Sequence, residues 1–149
     1  MKGADLPPLA LPGDGELRPI DKVLMLQRLQ LLARVPVAER LSLATIATEV
    51  RLEPGTALFA EADPPALHML IDGRVRLAAT AGQGEVDADS GDAIGLFETL
   101  AGVPIGRSAR VVEPGRALRI SHEDFFDLLG QRPALLQHLF TSLFGKRRS

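Results

Sequence analysis

His68, His122 and His138 stand far apart in different segments with no shared ligand spacing, and the chain has no cysteine. Disulfides, thiolate catalysis and Cys-ligated metals are therefore excluded, and no metal site or cofactor is expected. Asp87 and Asp89 have the close spacing of paired carboxylates that do acid–base work. In the alternating run Glu85–Asp89, however, that spacing places both on one solvated strand face. Glu61 and Asp63 precede Pro64-Pro65 and read as loop carboxylates. No Ser/His/Asp arrangement or nucleophile elbow is present, so the chain is not expected to be an enzyme. Arg107, taken alone, reads as a surface arginine in an ion pair. Lys146-Arg147-Arg148 follows a helix and complements its dipole. With a formal net charge of −2, three terminal cations do not make a nucleic-acid or lipid surface.

The elements that would position these groups follow from periodicity. Residues 1–19, rich in Pro and Gly, read as a flexible arm, and residues 20–149 as one domain. Ile20–Val35 has the pattern of an amphipathic helix with a wide apolar stripe, and Glu39–Ala47 that of a second, shorter one. The period then changes to two. Glu49–Glu53, Thr56–Phe59, the run around Leu67, Met69 and Ile71, the run Val75, Leu77 and Ala79, Glu85–Asp89, the start of Ala93–Gly102, Ser108–Val112 and Arg116–Ile120 read as strands. Pro54-Gly55, Asp72-Gly73, Ser90-Gly91-Asp92 and Pro114-Gly115 punctuate them, and Asp72-Gly73 carries a hairpin signature. The end of Ala93–Gly102 reads as one helical turn. Ser121, with acidic residues two and three positions on, caps a helix, and Pro133–Phe144 begins another after Gly130.

Many short strands with regular turns imply a mainly β fold: an antiparallel, eight-stranded, jelly-roll-like β-roll with flanking N- and C-terminal helices. At 46% hydrophobic and 24% charged the chain can bury one core. No apolar run approaches a membrane span and no signal peptide is evident, so a cytoplasmic location is the default. Six Phe are the only aromatics apart from histidine, so a ligand site would rely on aliphatic, backbone and charged groups. The apolar stripes of Ile20–Val35 and Pro133–Phe144 exceed what one small roll can cover. A homodimer or a partner protein through the terminal helices is the expected assembly.

This order of elements and turns resembles the cyclic-nucleotide-binding domain shared by catabolite activators, protein kinase A regulatory subunits and cyclic-nucleotide-gated channels. The resemblance covers roughly residues 20–144. It rests on Pro54-Gly55, Asp72-Gly73-Arg74-Val75, Ser90-Gly91-Asp92, the run Gly95-Leu96-Phe97-Glu98-Thr99-Leu100, and Pro104-Ile105-Gly106-Arg107-Ser108-Ala109. In the family, the last two segments form a phosphate-binding cassette, typically Gly-Glu-Leu-Ala-Leu followed by Pro-Arg-Ser/Ala-Ala.

The resemblance implies that Arg107, Ser108, Ala109 and Gly95 meet the phosphate of a cyclic nucleotide or a similar small anionic ligand. Desolvating such an anion is costly unless a fixed cation and several N–H donors receive it, and a guanidinium fork suits that task. Leu96 stands where the family has the glutamate that accepts from the ribose hydroxyl. It cannot accept a hydrogen bond, and Glu98 is the nearest substitute, although its place in a helical turn directs it elsewhere. Ile105-Gly106 is an insertion between the proline and the arginine. The function so implied is a regulatory, ligand-sensing module that signals through its C-terminal helices. The alternative is a degenerate domain of the same fold that acts as an interaction or dimerisation module without ligand. Catabolite activators carry a DNA-reading helix-turn-helix after this point. The few residues after Phe144 cannot form one, so direct DNA binding is not expected.

Overall fold

The computed structural model describes Lys22 and residues 29–144. The N-terminal arm, most of the predicted helix Ile20–Val35 and the basic end Lys146-Arg147-Arg148 lie outside the described residues. Of that first helix, Lys22 is α-helical, whereas the end is not. Gln30–Leu32 forms a 3-10 turn, with Leu32 and Val35 donating to carbonyls three residues back. Pro36 ends the segment, because a proline disfavours the α conformation in the residue before it, here Val35.

After Pro36 come α1 (Val37–Ile46) and the strands β1 (Thr48–Leu52), β2 (Ala57–Phe59), β3 (Ala66–Leu70), β4 (Arg74–Leu77), β5 (Val86–Asp89) and β6 (Ala93–Ile94). The short helix α2 (Leu96–Ala101) follows, then β7 (Ala109–Glu113), β8 (Gly115–Ser121), α3 (His122–Gln131) and α4 (Ala134–Phe144). The eight strands among the described residues form two four-stranded antiparallel sheets, in the orders β1-β8-β3-β6 and β2-β7-β4-β5. This is the expected roll with flanking helices. The predicted cap also forms, with Ser121 Oγ accepting from the Asp124 N–H at 3.2 Å.

One expectation is corrected. Asp72-Gly73 does not close a hairpin, because β3 and β4 belong to different sheets. The N–H groups of Ile71 and Asp72 turn instead to the Arg116 carbonyl, at 2.9 and 3.2 Å. The cause lies in β3, all five residues of which are buried. Leu67 and Met69 join a core shared with the helices, and Leu70 joins the core between the sheets. A strand buried on both faces needs a layer on each side, so the chain leaves its sheet after Ile71 and returns in the opposing one. Pro54-Gly55, Ser90-Gly91-Asp92 and Pro114-Gly115 likewise carry the chain between sheets. The pair joined as a hairpin is β4 and β5, in the register Arg74↔Asp89 to Leu77↔Val86. β4 also stops at Leu77, leaving Ala79 in the connecting loop.

On the helical side, Phe125 and Leu128 of α3 and Leu135 and Leu139 of α4 share one buried cluster with Leu29, Leu31 and Leu32. Part of the apolar stripe assigned to a second copy is thus covered within the chain. Polar ties fix the arrangement: Ser142 Oγ accepts from the Arg34 N–H at 2.8 Å, and Glu39 meets His138 Nδ1 at 2.5 Å. Among the described residues no helix is long and apolar enough to cross a membrane.

Candidate functional site

The segment from Asp92 to Arg107 faces the inner side of β4 and β5 across a cleft of about 440 Å³, within the usual size of small-molecule sites. Its apolar lining comes from Leu77, Val86, Ala88, Ile94 and Ile105, and its polar lining includes Thr80, Gln83, Glu98 and Arg107. Strand alternation explains this division. Val75, Leu77 and Ala88 turn inward, while Arg74, Arg76, Asp87 and Asp89 turn outward and pair across the two strands. Arg76 grips Asp87 with two bonds, at 2.8 and 3.2 Å, and Arg74 reaches Asp89 at 2.7 Å. The bond from Arg76 holds the Asp87 carboxyl below its ordinary value. Both strand carboxylates are thus taken up by arginines on the outer face. Asp92, also on the lining, accepts from the Asp89 N–H at 2.8 Å and fixes the Ser90-Gly91 turn.

Gly95 sits where β6 gives way to α2, with φ +90°. A Cβ there would lie 2.6 Å from the Ala66 carbonyl oxygen and 2.9 Å from Ile105 Cδ1. Glycine is required by this approach to protein atoms, whatever fills the cleft. Ile105, half of the insertion, packs against the inter-sheet core. Gly106, at φ +83°, then turns the chain so that Arg107 reaches the cleft wall.

Arg107 is held at all three nitrogens. Nε donates to the Ala78 carbonyl at 2.8 Å, Nη1 to Gln83 Oε1 at 2.7 Å and Nη2 to the Gly84 carbonyl at 2.8 Å. The 78–84 loop between β4 and β5 thus folds onto the guanidinium, and each terminal nitrogen keeps one N–H. Ser108 uses its carbonyl to accept from Ala78 N at 2.9 Å. Ala109 is buried between the sheets, paired in register with Leu77 and Phe59. Leu96, 6% exposed, belongs to the helix-side core and borders an adjoining hollow of about 260 Å³ that shares Gly95 and Glu98 with the cleft. Glu98 lines the cleft. The expectation that its place in a helical turn directs Glu98 elsewhere is corrected: Glu98 reaches the lining, and Leu96, the residue after Gly95, turns to the core.

Of the six residues named from the sequence, the structure brings Gly95, Glu98 and Arg107 to the cleft. Ser108 and Ala109 serve strand pairing beside it, and Leu96 faces away. Sequence reasoning missed Gln83 and its loop. A short run of Gly, Ala and polar residues reads only as a turn, and nothing in it marks which side chain folds back.

The histidines do not converge. His122 stacks edge-on against Phe126, and His138 pairs with Glu39. His68 is 2% exposed, lies against Phe59 with ring centroids 5.0 Å apart, and leaves its Nδ1 without a partner. Burial, assisted by the charge of Arg119, lowers its pKa from 6.5 to about 4.

Residues 49–132, more than half of the chain, match the family described as "Cyclic nucleotide-binding domain". No curated protein matches the chain. Among solved structures, the fold is similar to the N-terminal domain of a transcriptional regulator from Streptomyces coelicolor A3(2). The TM-score is 0.68 at 23% identity, over 83% of this chain and 92% of that one. It is similar to the regulatory domain of Toxoplasma gondii PKA, solved with cAMP, with TM-score 0.68 at 17% identity over 80% of this chain and 48% of that one. For the Thermus thermophilus catabolite activator protein the values are 0.62 and 24%, over 79% of this chain and 57% of that one. At these identities the likeness is one of fold, and the chain spans about half the length of the last two.

Proposed function

The chain belongs to the cyclic nucleotide-binding domain family, and from that premise we propose that it is a regulatory module whose cleft takes a cyclic nucleotide or a related small monoanion. The observation that carries the reading is Arg107. It stands on the wall of a cleft of ligand size, braced by three acceptors, with one N–H on each terminal nitrogen still to give. Bracing a long side chain in advance removes part of the entropy cost of binding. Gly95 supplies close-packed backbone beside it. Glu98, whose carboxylate has no partner among the described residues, is the group fitted to accept from a ligand hydroxyl, the task that Leu96 cannot perform.

The ligand would act by binding, with α3 and α4 as the responding element. The end of α2 packs against α3, since a Cβ at Gly102 would lie 3.2 Å from His122 Nε2 of α3. A shift of the cassette on binding would therefore be felt at the start of α3 and passed to α4. Calorimetric titration of the protein with cAMP, cGMP and cyclic dinucleotides tests the reading, and saturable heat with any of them supports it.

A second reading is an interaction module of the same fold without ligand. Leu96 favours it, because an apolar residue buried in the core stands where the family has an acceptor for ribose. Absence of heat with every cyclic nucleotide at millimolar concentration gives this second reading its place.

A further inference from the structure

We propose that Gln83 is a second anion-binding residue of the cleft, carried there by the 78–84 loop and donating alongside Arg107. The inference deepens the reading of the cleft as an anion site and rests on it. A guanidinium offers only donors, so the carboxamide must present its oxygen to Arg107, as the 2.7 Å contact from Nη1 records. With Oε1 so engaged, the two N–H bonds of the amide are unspent, and Gln83 lines the cleft. The loop that presents it is itself ordered. Thr80 N donates to the Gln83 carbonyl at 2.8 Å and Gln83 N returns the bond to Thr80 at 3.4 Å. Ala78 N is tied to Ser108, and the carbonyls of Ala78 and Gly84 are gripped by Arg107.

The cleft also needs such a donor. Glu98, Asp92 and Asp87, the last paired with Arg76, place three carboxylates on its lining against the one guanidinium of Arg107, so an entering anion gains from a neutral donor that requires no further cation. The ligand need not displace Gln83, because Arg107 keeps an N–H on each terminal nitrogen. Amide and guanidinium thus form one composite donor surface, and Gln83 selects for ligands whose anionic group carries several acceptor oxygens.

The test uses the full chain, with cAMP and inorganic phosphate as probes, in wild type, Gln83→Ala and Gln83→Glu. The side-chain amide of Gln83 is followed by NMR and affinity by calorimetry. The Gln83 amide resonances are expected to move on saturation with cAMP. Gln83→Ala should weaken cAMP about five- to tenfold, one neutral hydrogen bond. Gln83→Glu should weaken it further, because the carboxylate still satisfies Arg107 but repels the anion. Amide resonances that stay still while wild type saturates, or an unchanged or tighter affinity in Gln83→Ala, overturn the role of Gln83 alone and leave the anion site standing. A wild type that responds to neither probe removes the anion site and this role together.

Discussion

Gly115 approaches Asp72 so closely that a Cβ on Gly115 would lie 2.2 Å from the Asp72 carbonyl oxygen. Gly73 makes the reciprocal approach, its Cβ position lying 2.8 Å from the carbonyl oxygens of Glu113 and Pro114. Two sheet-crossing turns, β3 to β4 and β7 to β8, are therefore stacked backbone on backbone, and the Arg116 carbonyl ties them. Gly115→Ala drives a methyl into rigid main chain and should destabilise the domain by at least about 3 kcal/mol. Gly130→Ala, in α3 with nothing near its Cβ position, should instead stabilise by about 0.5–1 kcal/mol. Urea unfolding of the two variants checks this. A Gly115→Ala midpoint equal to that of wild type would contradict the stacking.

Leu96 and Glu98 are separated by the same logic. Leu96→Glu would place a carboxylate in the helix-side core and should cost about 2–4 kcal/mol of stability, without creating an acceptor in the cleft. Glu98→Gln should leave stability within about 0.5 kcal/mol, since Glu98 is half-buried and its carboxylate has no partner among the described residues to lose. It should weaken a ribose-bearing cyclic nucleotide more than a ligand without the hydroxyl. Thermal melts paired with titrations separate the two effects. A Leu96→Glu protein that is stable and binds more tightly would place Leu96, not Glu98, at the ligand.

His68 predicts the acid response of the fold. Its pKa in the folded state, about 4, lies below the ordinary 6.5, because the buried ring cannot afford a charge. The unfolded chain therefore takes up the proton first as pH falls. The stabilisation is complete above pH 6.5, is lost as pH falls toward 4, and changes no further below it, for a total of at most about 3 kcal/mol. His68→Leu removes the titration and the partnerless Nδ1 with it. Melting temperatures at pH 7 and pH 5 should differ less in His68→Leu than in wild type. Equal pH dependence in the two would mean that His68 is not the group responsible.

If α3 and α4 report occupancy, saturation with cAMP should change amide exchange across Phe125–Phe144 while the Asp72-Gly73 turn, locked by Gly115, keeps its protection. Identical exchange in both segments with and without ligand would remove these helices as the output.

The sequence disclosed the strands, the turns between them and the cap at Ser121, because alternation and turn residues are local signals. It did not disclose which strands pair. Asp72-Gly73 carries the chemistry of a hairpin, and only the burial of both faces of β3 sends the chain across to the other sheet. The site was legible to the same depth. The resemblance pointed to Gly95 and Arg107, but the bracing of Arg107 by Ala78, Gln83 and Gly84 joins residues more than twenty positions apart. The facing of Leu96 and Glu98 likewise depends on how α2 sits against β3 and α3, which no local pattern encodes.

The account turns on Arg107, and the ratio of cyclic-nucleotide affinities between wild type and Arg107→Ala tests it most directly. Losing a charge-assisted contact should weaken binding by about thirty- to thousand-fold, with the Ala78–Gly84 loop gaining exchange and the two sheets unchanged. Binding that survives Arg107→Ala within about threefold, or a wild type that binds no cyclic nucleotide at millimolar concentration, would contradict it.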